Sequence, residues 1–461
     1  MTHFSHQLDI QLPAKLTHLL SDLGFETFTP VQAATLPAIL AKQDVLAQAQ
    51  TGSGKTLAFA IGMLLKINPR YFGVQALVIC PTRELADQVS KETRKVARFL
   101  QNIKVLSLCG GMPFGPQISS LEHGAHIVVG TPGRLLEHVR KGTLQLNNLQ
   151  TLVLDEADRM LDMGFIDSIR TLVKETPNNR QTLLFSATYP DSIQSISQEL
   201  QNTPANILIE TTETTRPDIQ QYFVKTSKEE KLDSLLKTLQ HIAPRQAVVF
   251  CNTKAECQTV ADFLDQHKVS AKALHGDLEQ KMRDLVLVQF SNASCRLLIA
   301  TDVAARGIDV KDVDAVINFD TTRDIDVHTH RIGRTGRAGS KGIAVNLVTE
   351  KDNYKVQEIE KRFAITADYL QLNTQLDLDF RLLPTMATIG FDAGRKDKLR
   401  PGDIVGALTA GIGLQKEEIG KIHVFDRKAY VAINNQQARS ILQKLQQNKI
   451  KGRAIKVRIV R

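Results

Sequence analysis

The chain has 461 residues, 42% of them hydrophobic and 23% charged, which predicts two or three globular domains. No apolar run approaches the roughly 18 residues that a membrane-spanning helix needs, and residues 1–10 lack a basic start followed by an apolar stretch, so a cytoplasmic protein with no membrane partner is expected. The net charge of +9 is localised: residues 385–461 hold 16 Lys/Arg against 6 Asp/Glu, leaving 42 against 43 for the rest, the pattern of a polyanion-binding module on a near-neutral body.

In chain order, Thr29-Pro30 reads as an N-cap and first helical residue. Aliphatic runs follow at residues 45–47, 76–80, 105–109, 127–129, 152–154 and 182–185, separated by amphipathic stretches of helical length. Runs without alternation predict strands covered on both faces, hence a parallel sheet of α/β units. A Thr/Glu-rich stretch at 209–217 reads as an interdomain linker, and the strand pattern restarts at 247–251, 296–300, 316–319 and 343–348. Beyond a second join, strand, helix, strand pair, helix and strand are expected at 385–391, 401–409, 420–425 with 428–433, 436–447 and 455–460. The expected organisation is a first α/β domain over 1–208, a linker at 209–218, a second α/β domain over 219–370, a linker at 371–384 and a basic α+β domain over 385–461. Cys80, Cys109, Cys251, Cys257 and Cys295 form no C-x-x-C pair and have no histidine cluster beside them, so they read as reduced, mostly buried thiols.

Ala49-Gln50-Thr51-Gly52-Ser53-Gly54-Lys55-Thr56 follows the first apolar run and opens an apolar helix, the context of a phosphate-binding loop. Gly52 and Gly54 let backbone N–H groups turn inward, Lys55 reaches the β and γ phosphates of a nucleotide, and the Thr56 hydroxyl joins a Mg²⁺ shell. Ala49 stands where the usual pattern has glycine, which is tolerable if its φ stays negative. The plain alternative is a glycine-rich turn before a helix. Leu152-Val153-Leu154-Asp155-Glu156-Ala157-Asp158 ends a strand on clustered carboxylates, where Asp155 can hold Mg²⁺, directly or through water, and Glu156 can deprotonate an attacking water.

The Asp155-Glu156-Ala157-Asp158 quartet and the phosphate loop together resemble the DEAD-box RNA helicases, and similar motifs follow in family order over residues 4–365. Gly24 to Gln32 looks like the Q motif: Gln32 offers an amide matched to the adenine edge and Phe25 a ring to stack on it, which implies ATP. Pro81-Thr82-Arg83-Glu84-Leu85-Ala86, Gly110-Gly111 and Thr131-Pro132-Gly133-Arg134 resemble the RNA-facing motifs of the first domain, placing Arg83, Gly111, Thr131 and Arg134 on an RNA backbone. Ser186-Ala187-Thr188 resembles the coupling motif, whose hydroxyls bond toward the acidic cluster.

In the second domain, Asn252, His275, Gly276 and Asp277 with Gln280 and Arg283, and Thr301 with Arg306, are similar to RNA-side motifs; Asp309 is implied to hold the ATP ribose. In His330-Arg331-Ile332-Gly333-Arg334-Thr335-Gly336-Arg337, the resemblance implies that Arg334 and Arg337 reach the phosphates from the opposite domain, while His330 and Arg331 link to the acidic cluster. The implied fold is two RecA-like parallel-sheet domains in tandem plus an RRM-like α+β domain. The implied mechanism is ATP-driven closure, with Mg²⁺, that separates RNA strands locally.

The strand–helix order of the last domain is RRM-like, but Ala432 stands where a stacking aromatic is expected near Tyr430, so basic loops (Arg395, Lys396, Lys398, Arg400, Lys449, Lys451, Arg453) are the expected contacts to a folded RNA. Residues 395–408 and 419–422 resemble the C-terminal domain of bacterial DbpA helicases, which implies a hairpin of 23S ribosomal RNA as target and a role in large-subunit assembly; the completeness of the motif set points to a working monomer. An ATP-gated RNA clamp and a DNA-unwinding motor are the competing readings; Glu156, Arg334 and Arg337 favour turnover over the first, and the Q motif with the acidic quartet favours RNA over the second.

Overall fold

A computed structural model describes residues 12–49, 52–209, 218–305, 313–322, 324–336, 341–373, 375, 377 and 379–460. Two compact units are present, one built on the first sheet and one holding the other two sheets. The expected linker at 209–218 lies almost wholly outside the described residues.

In the first unit, β1 (Val45–Gln48), β2 (Ala76–Ile79), β3 (Val105–Leu108), β4 (Ile127–Gly130), β5 (Thr151–Asp155), β6 (Gln181–Ser186) and β7 (Ala205–Leu208) form a parallel sheet in the order β3-β4-β2-β5-β6-β1-β7. The expected aliphatic runs are its strands, and β2, β4, β5 and β6 are buried along their whole length, because helices cover both faces. Two apolar clusters fill the faces: Val45, Val78, Ile127 and Phe185 belong to one, Leu46, Leu77, Val128 and Leu184 to the other. The strand order also sorts the chemistry. β1, β6 and β5 are neighbours and end in the phosphate loop, Ser186 and Asp155, while β2, β4 and β3 end in the segments of Arg83, Thr131 and Gly111.

Helix Arg83–Val96 shows how local sequence sets an element. The Thr82 hydroxyl accepts from Leu85 N–H at 3.3 Å, Glu84 lies in the first turn and Arg94 and Lys95 in the last, each suited to the helix dipole. Leu85, Val89, Thr93 and Val96 recur on the buried face at the spacing of a helical stripe.

The second sheet is parallel too: β8 (Ile219–Lys225), β9 (Ala247–Phe250), β10 (Ala271–Leu274), β11 (Leu297–Ala300), β12 (Ala315–Asn318), β13 (Gly342–Val348) and β14 (Asp368–Tyr369) run in the order β10-β11-β9-β12-β13-β8-β14. Of the expected linker at 371–384, Leu372, Phe380 and Leu382 pack onto this sheet. Leu382 is 5% exposed in the core, Phe380 lies against the same cluster, Ser270 N–H donates to Leu382 O at 2.9 Å, and Arg296 Nη1 donates to Leu383 O at 3.0 Å. Apolar residues in this stretch give it a surface to bury, which a free linker lacks.

The last sheet is antiparallel: β15 (Met386–Phe391), β16 (Ile419–Val424), β17 (Ala429–Asn434) and β18 (Val457–Val460), in the order β16-β17-β15-β18. Helices Pro401–Thr409 and Ala438–Gln447 supply Ile404, Leu408, Ile441 and Leu445 to one core with Ile389, Phe391, Val431, Ile433 and Val457. Alternation sends Thr388, Tyr430 and Ala432 to the opposite face. That face meets the end of helix Gln280–Ser291: Asn292 Nδ2 donates to Thr388 Oγ1 at 3.0 Å, Ser294 Oγ shares a hydrogen bond with Thr388 Oγ1 at 2.6 Å, and His423 Nε2 lies 3.1 Å from Asn292 Oδ1. Thr388 is fully buried and Ala432 nearly so. All five cysteines are free and buried. Burial pushes the Cys109 and Cys295 thiols up to about 12, out of reach of ordinary thiolate chemistry.

Candidate active site

β1 delivers its C-terminal end to the phosphate loop. Gly54 has φ +95°, and a Cβ there would sit 2.4 Å from Gln32 Nε2, so glycine is required on both conformational and steric grounds. Ala49 is 3% exposed and is absent from the positive-φ residues, meeting the condition for a methyl there. Its N–H donates to Ser186 O at 2.9 Å, and its own carbonyl accepts from Lys55 Nζ at 2.9 Å. The loop is therefore closed on itself, with the 6% exposed lysine head held by the loop's first carbonyl. Thr56 is half-buried one residue into helix Lys55–Leu64, behind Gly52 and Ser53; Gln50 and Thr51 lie outside the described residues.

Gln32 is 2% exposed, and its amide is used inside the protein: Nε2 donates to Gly54 O at 3.0 Å, and Oε1 accepts from Thr29 N–H at 3.0 Å. It joins the start of helix Pro30–Leu40 to the phosphate loop. Phe25 is 38% exposed.

Asp155 ends β5, and Glu156 follows with φ +56°, a left-handed conformation that costs a non-glycine residue about 1 kcal/mol or more and marks a position held by its surroundings. Burial lifts the Asp155 carboxyl to about 7 against the pull of Lys55, and the Glu156 charge adds to the rise. Asp155 Oδ1 and Ser53 Oγ are buried without a hydrogen-bond partner among the described residues. A hard oxygen of this kind fits Mg²⁺, which binds through one or two carboxylates plus phosphates and water rather than a protein cage; among the described residues no three His/Cys/Asp/Glu side chains are placed to form such a cage. Thr188 donates to Asp158 Oδ2 through its N–H at 3.1 Å and its hydroxyl at 3.0 Å, tying the segment after β6 to the acidic cluster.

On the other half of this sheet, Arg83 opens its helix half-buried, Gly111 takes φ +73°, and Thr131 stands at the N-cap position of helix Pro132–Arg140 with no side-chain capping bond. Arg134, expected on an RNA backbone, has its Nη1 donating to Met112 O at 2.9 Å and Gln117 Oε1 at 3.0 Å, and its Nε faces Glu137 at 3.1 Å.

In the second unit, Arg331 differs from expectation. It is 2% exposed, and its guanidinium is spent within the unit: Nε and Nη2 on the Asp302 carboxylate at 2.6 and 2.7 Å, Nη2 also on Asn252 Oδ1 at 3.1 Å, and Nη1 on Asn318 Oδ1 and Asp320 O at 3.2 and 2.5 Å. A guanidinium so committed holds the ends of β9, β11 and β12 in place. No such role was expected of Asp302; an Asp opening a helix after a strand carries no local sign of a partner 29 positions away. His330 Nδ1 is buried with no hydrogen-bond partner among the described residues, as are both ring nitrogens of His275. Gly276 follows His275, Arg283 lies in helix Gln280–Ser291, Thr301 Oγ1 accepts from Ala304 N–H at 3.4 Å, and Arg334 is half-buried just beyond helix Ile325–Ile332. Arg306, Asp309 and Arg337 lie outside the described residues.

The basic residues of the C-terminal domain converge. Lys451 Nζ donates to Lys398 O at 3.2 Å and pairs with Asp403 at 3.3 Å, bringing the 449–453 turn beside the 395–400 loop. Arg395 and Lys396 share Asp426 at 3.2 and 3.6 Å; Lys398, Arg400, Lys449 and Arg453 are exposed.

Residues 29–196 match the DEAD/DEAH box helicase family, 227–339 the helicase conserved C-terminal domain, and 388–459 the DbpA RNA binding domain. The ATP-dependent RNA helicase DbpA of Escherichia coli is 50% identical, with 100% of each chain covered. The DEAD-box ATP-dependent RNA helicase CshA of Bacillus subtilis is 43% identical over 77% of this chain and 71% of its own. Among solved structures, S. cerevisiae Dbp5 bound to RNA and ADP BeF3 superposes with a TM-score of 0.71 at 30% identity, covering 78% of this chain and 94% of that one. With its phosphate loop, its Asp155-Glu156-Ala157-Asp158 strand end and a relative identical at half its positions along the full length, the chain belongs to the DEAD-box ATP-dependent RNA helicases.

Proposed function

We propose that this helicase uses ATP and Mg²⁺ to separate short stretches of structured RNA, that its target is 23S ribosomal RNA during assembly of the large ribosomal subunit, and that it acts as a cytoplasmic monomer. The observation that carries the reading is the pairing, in one chain, of the phosphate loop and acidic strand end with a DbpA RNA binding domain whose two basic segments meet at Lys451 and Lys398.

In this reading Lys55 leaves the Ala49 carbonyl for the β and γ phosphates, Ser53, Gly54 and their neighbours offer N–H groups, and Gln32 and Phe25 recognise adenine. Mg²⁺, when bound, neutralises phosphate charge; Asp155 and Thr56 would hold it, partly through water. Glu156 orients and deprotonates the attacking water. Arg334 and Arg337 stabilise the charge that builds on the transferring phosphoryl group, and Asp309 binds the ribose. Arg83, Gly111, Thr131 and Arg134 in the first domain, with His275, Gly276, Arg283, Thr301 and Arg306 in the second, follow the RNA backbone. The expected domains at 1–208, 219–370 and 385–461 divide these roles. A site split in this way makes ATP and RNA binding assist each other.

Steady-state ATP hydrolysis with and without ribosomal RNA tests the reading. Activity should rise with the RNA. A rate that stays flat would remove the remodelling function, and deletion of 385–461 should abolish preference for one RNA while leaving stimulation by RNA in general.

A further inference from the structure

Gln117 carries no motif of its own in the sequence, yet it is 8% exposed and sits at the centre of a polar cluster beside the 110–112 loop. Its Nε2 donates to Cys109 O at 3.1 Å, which fixes its Oε1 as the acceptor for Arg134 Nη1 at 3.0 Å and for His138 Nε2 at 2.9 Å. His138 is fully buried, its other ring nitrogen lies 2.8 Å from the Thr143 hydroxyl, and its ring stacks on Phe114 at 4.2 Å. Burial, helped by the Arg134 charge, lowers this histidine to about 4, so near neutrality it keeps one N–H, the one aimed at Gln117.

The same guanidinium nitrogen of Arg134 that reaches Gln117 also donates to Met112 O at 2.9 Å. Gly110-Gly111-Met112 is thus held at both ends, at Cys109 O by the glutamine amide and at Met112 O by the arginine, with Gln117 joining the two holds. Between them the loop is bare. A Cβ added at Gly110 meets nothing within 4 Å, Gly111 takes φ +73°, and Met112 is 43% exposed. A loop with open space over its backbone and both ends tied admits a phosphodiester backbone at close range without first having to order itself.

We infer that Gln117 is a positioning residue for RNA: the Gln117–Arg134–His138 clip preorganises the 110–112 loop, and Arg134, besides following the RNA backbone, holds that loop. The inference rests on the reading that this loop faces RNA. In the full-length protein, Gln117→Met keeps the side chain's length and removes its hydrogen bonds. The RNA concentration for half-maximal ATPase stimulation should rise about tenfold, the cost of leaving one buried polar group without its partner, while RNA-saturated turnover and the KM for ATP stay within about twofold. Thr143→Val, which loosens the outer end of the cluster, should move half-saturation in the same direction by a smaller factor and covers the case in which Gln117→Met does not fold. In parallel, Met112→Cys carrying a photoreactive maleimide reports whether RNA reaches the loop. Crosslinking at 112 with unchanged half-saturation in both variants would overturn the clip. Absence of crosslinking at 112 would overturn the RNA-facing reading itself, whatever the variants do.

Discussion

Asn292 donates its side-chain amide to the Thr388 hydroxyl at 3.0 Å, bridging the end of helix Gln280–Ser291 and the face of the C-terminal sheet that carries Tyr430. The contact is buried, and Ser294 and His423 complete it. The sheet face on which an RRM-like domain stacks bases is in part occupied by the protein itself, which supports the proposal that the basic segments carry the RNA contacts.

Thr388→Val keeps the shape and deletes the hydroxyl, leaving the Asn292 amide and the Ser294 hydroxyl short of a partner in a buried place. The cost should be on the order of 1–3 kcal/mol, visible as a lower urea midpoint for the second unit. An unchanged midpoint would mean that the joint contributes nothing to stability.

Gln32→Ala removes both the tie to Gly54 and the cap on Thr29 N–H. Helix Pro30–Leu40 should lose about 1 kcal/mol, and the KM for ATP should rise more than tenfold as the phosphate loop loses its brace. Equal ATP affinity in the variant would separate the motif from the nucleotide.

Glu156→Gln should bind ATP and RNA as before and lose turnover by a factor of about 10² or more, the ordinary contribution of a general base. Glu156→Gly should be equally inactive but no less stable, since glycine tolerates the φ of +56° without strain. Phosphate release measured in a single turnover decides the first statement and thermal unfolding the second.

His328 is fully enclosed against Gln221, and burial beside Arg331 lowers it from 6.5 to about 3. A histidine depressed in the folded state takes up its proton only in the unfolded chain between those values. Stability is therefore complete above pH 6.5 and falls as the pH drops toward 3, by up to about 1.4 kcal/mol per unit. His328→Gln should flatten the fall between about pH 7 and 5 by on the order of 2 kcal/mol in urea titrations; an identical slope would place the acid sensitivity elsewhere.

Lys449→Glu with Arg453→Glu should weaken binding of a ribosomal RNA hairpin and lower the slope of log affinity against log salt by roughly one for each phosphate that is no longer neutralised. ATPase stimulated by unstructured RNA should not change. Loss of both together would mean that these residues serve the helicase core.

Much of the architecture is legible in the order of residues. Strands β2, β4, β5 and β6 are buried on both faces, so their residues must be apolar throughout, and the chemistry follows at their C-terminal ends where a parallel sheet opens to ligands. Strands whose sequences give no clear signal have a different environment. β7, β10 and β14 are sheet edges, and β7 alternates between half-buried and exposed residues; β8, beside β14, has exposed and half-buried positions too. Edge strands need less apolar surface, so short runs of small residues broken by a charge, such as Ala271-Lys272-Ala273-Leu274, do not announce themselves.

What the amino-acid order determined by itself is therefore the set of parts: two parallel sheets, a phosphate loop, an acidic strand end and a basic tail domain. Each is written in neighbouring residues, through hydrophobic period, glycine placement or local charge. Tertiary structure alone decided the pairings. Arg331 closes on Asp302 within its own unit, Phe380 and Leu382 pack on the second sheet, Thr388 bonds to Asn292, and Lys451 brings two basic segments together. The bonded partners lie tens of residues apart, and neither a hydrogen bond nor an apolar contact between distant residues leaves a periodicity for a sequence to show.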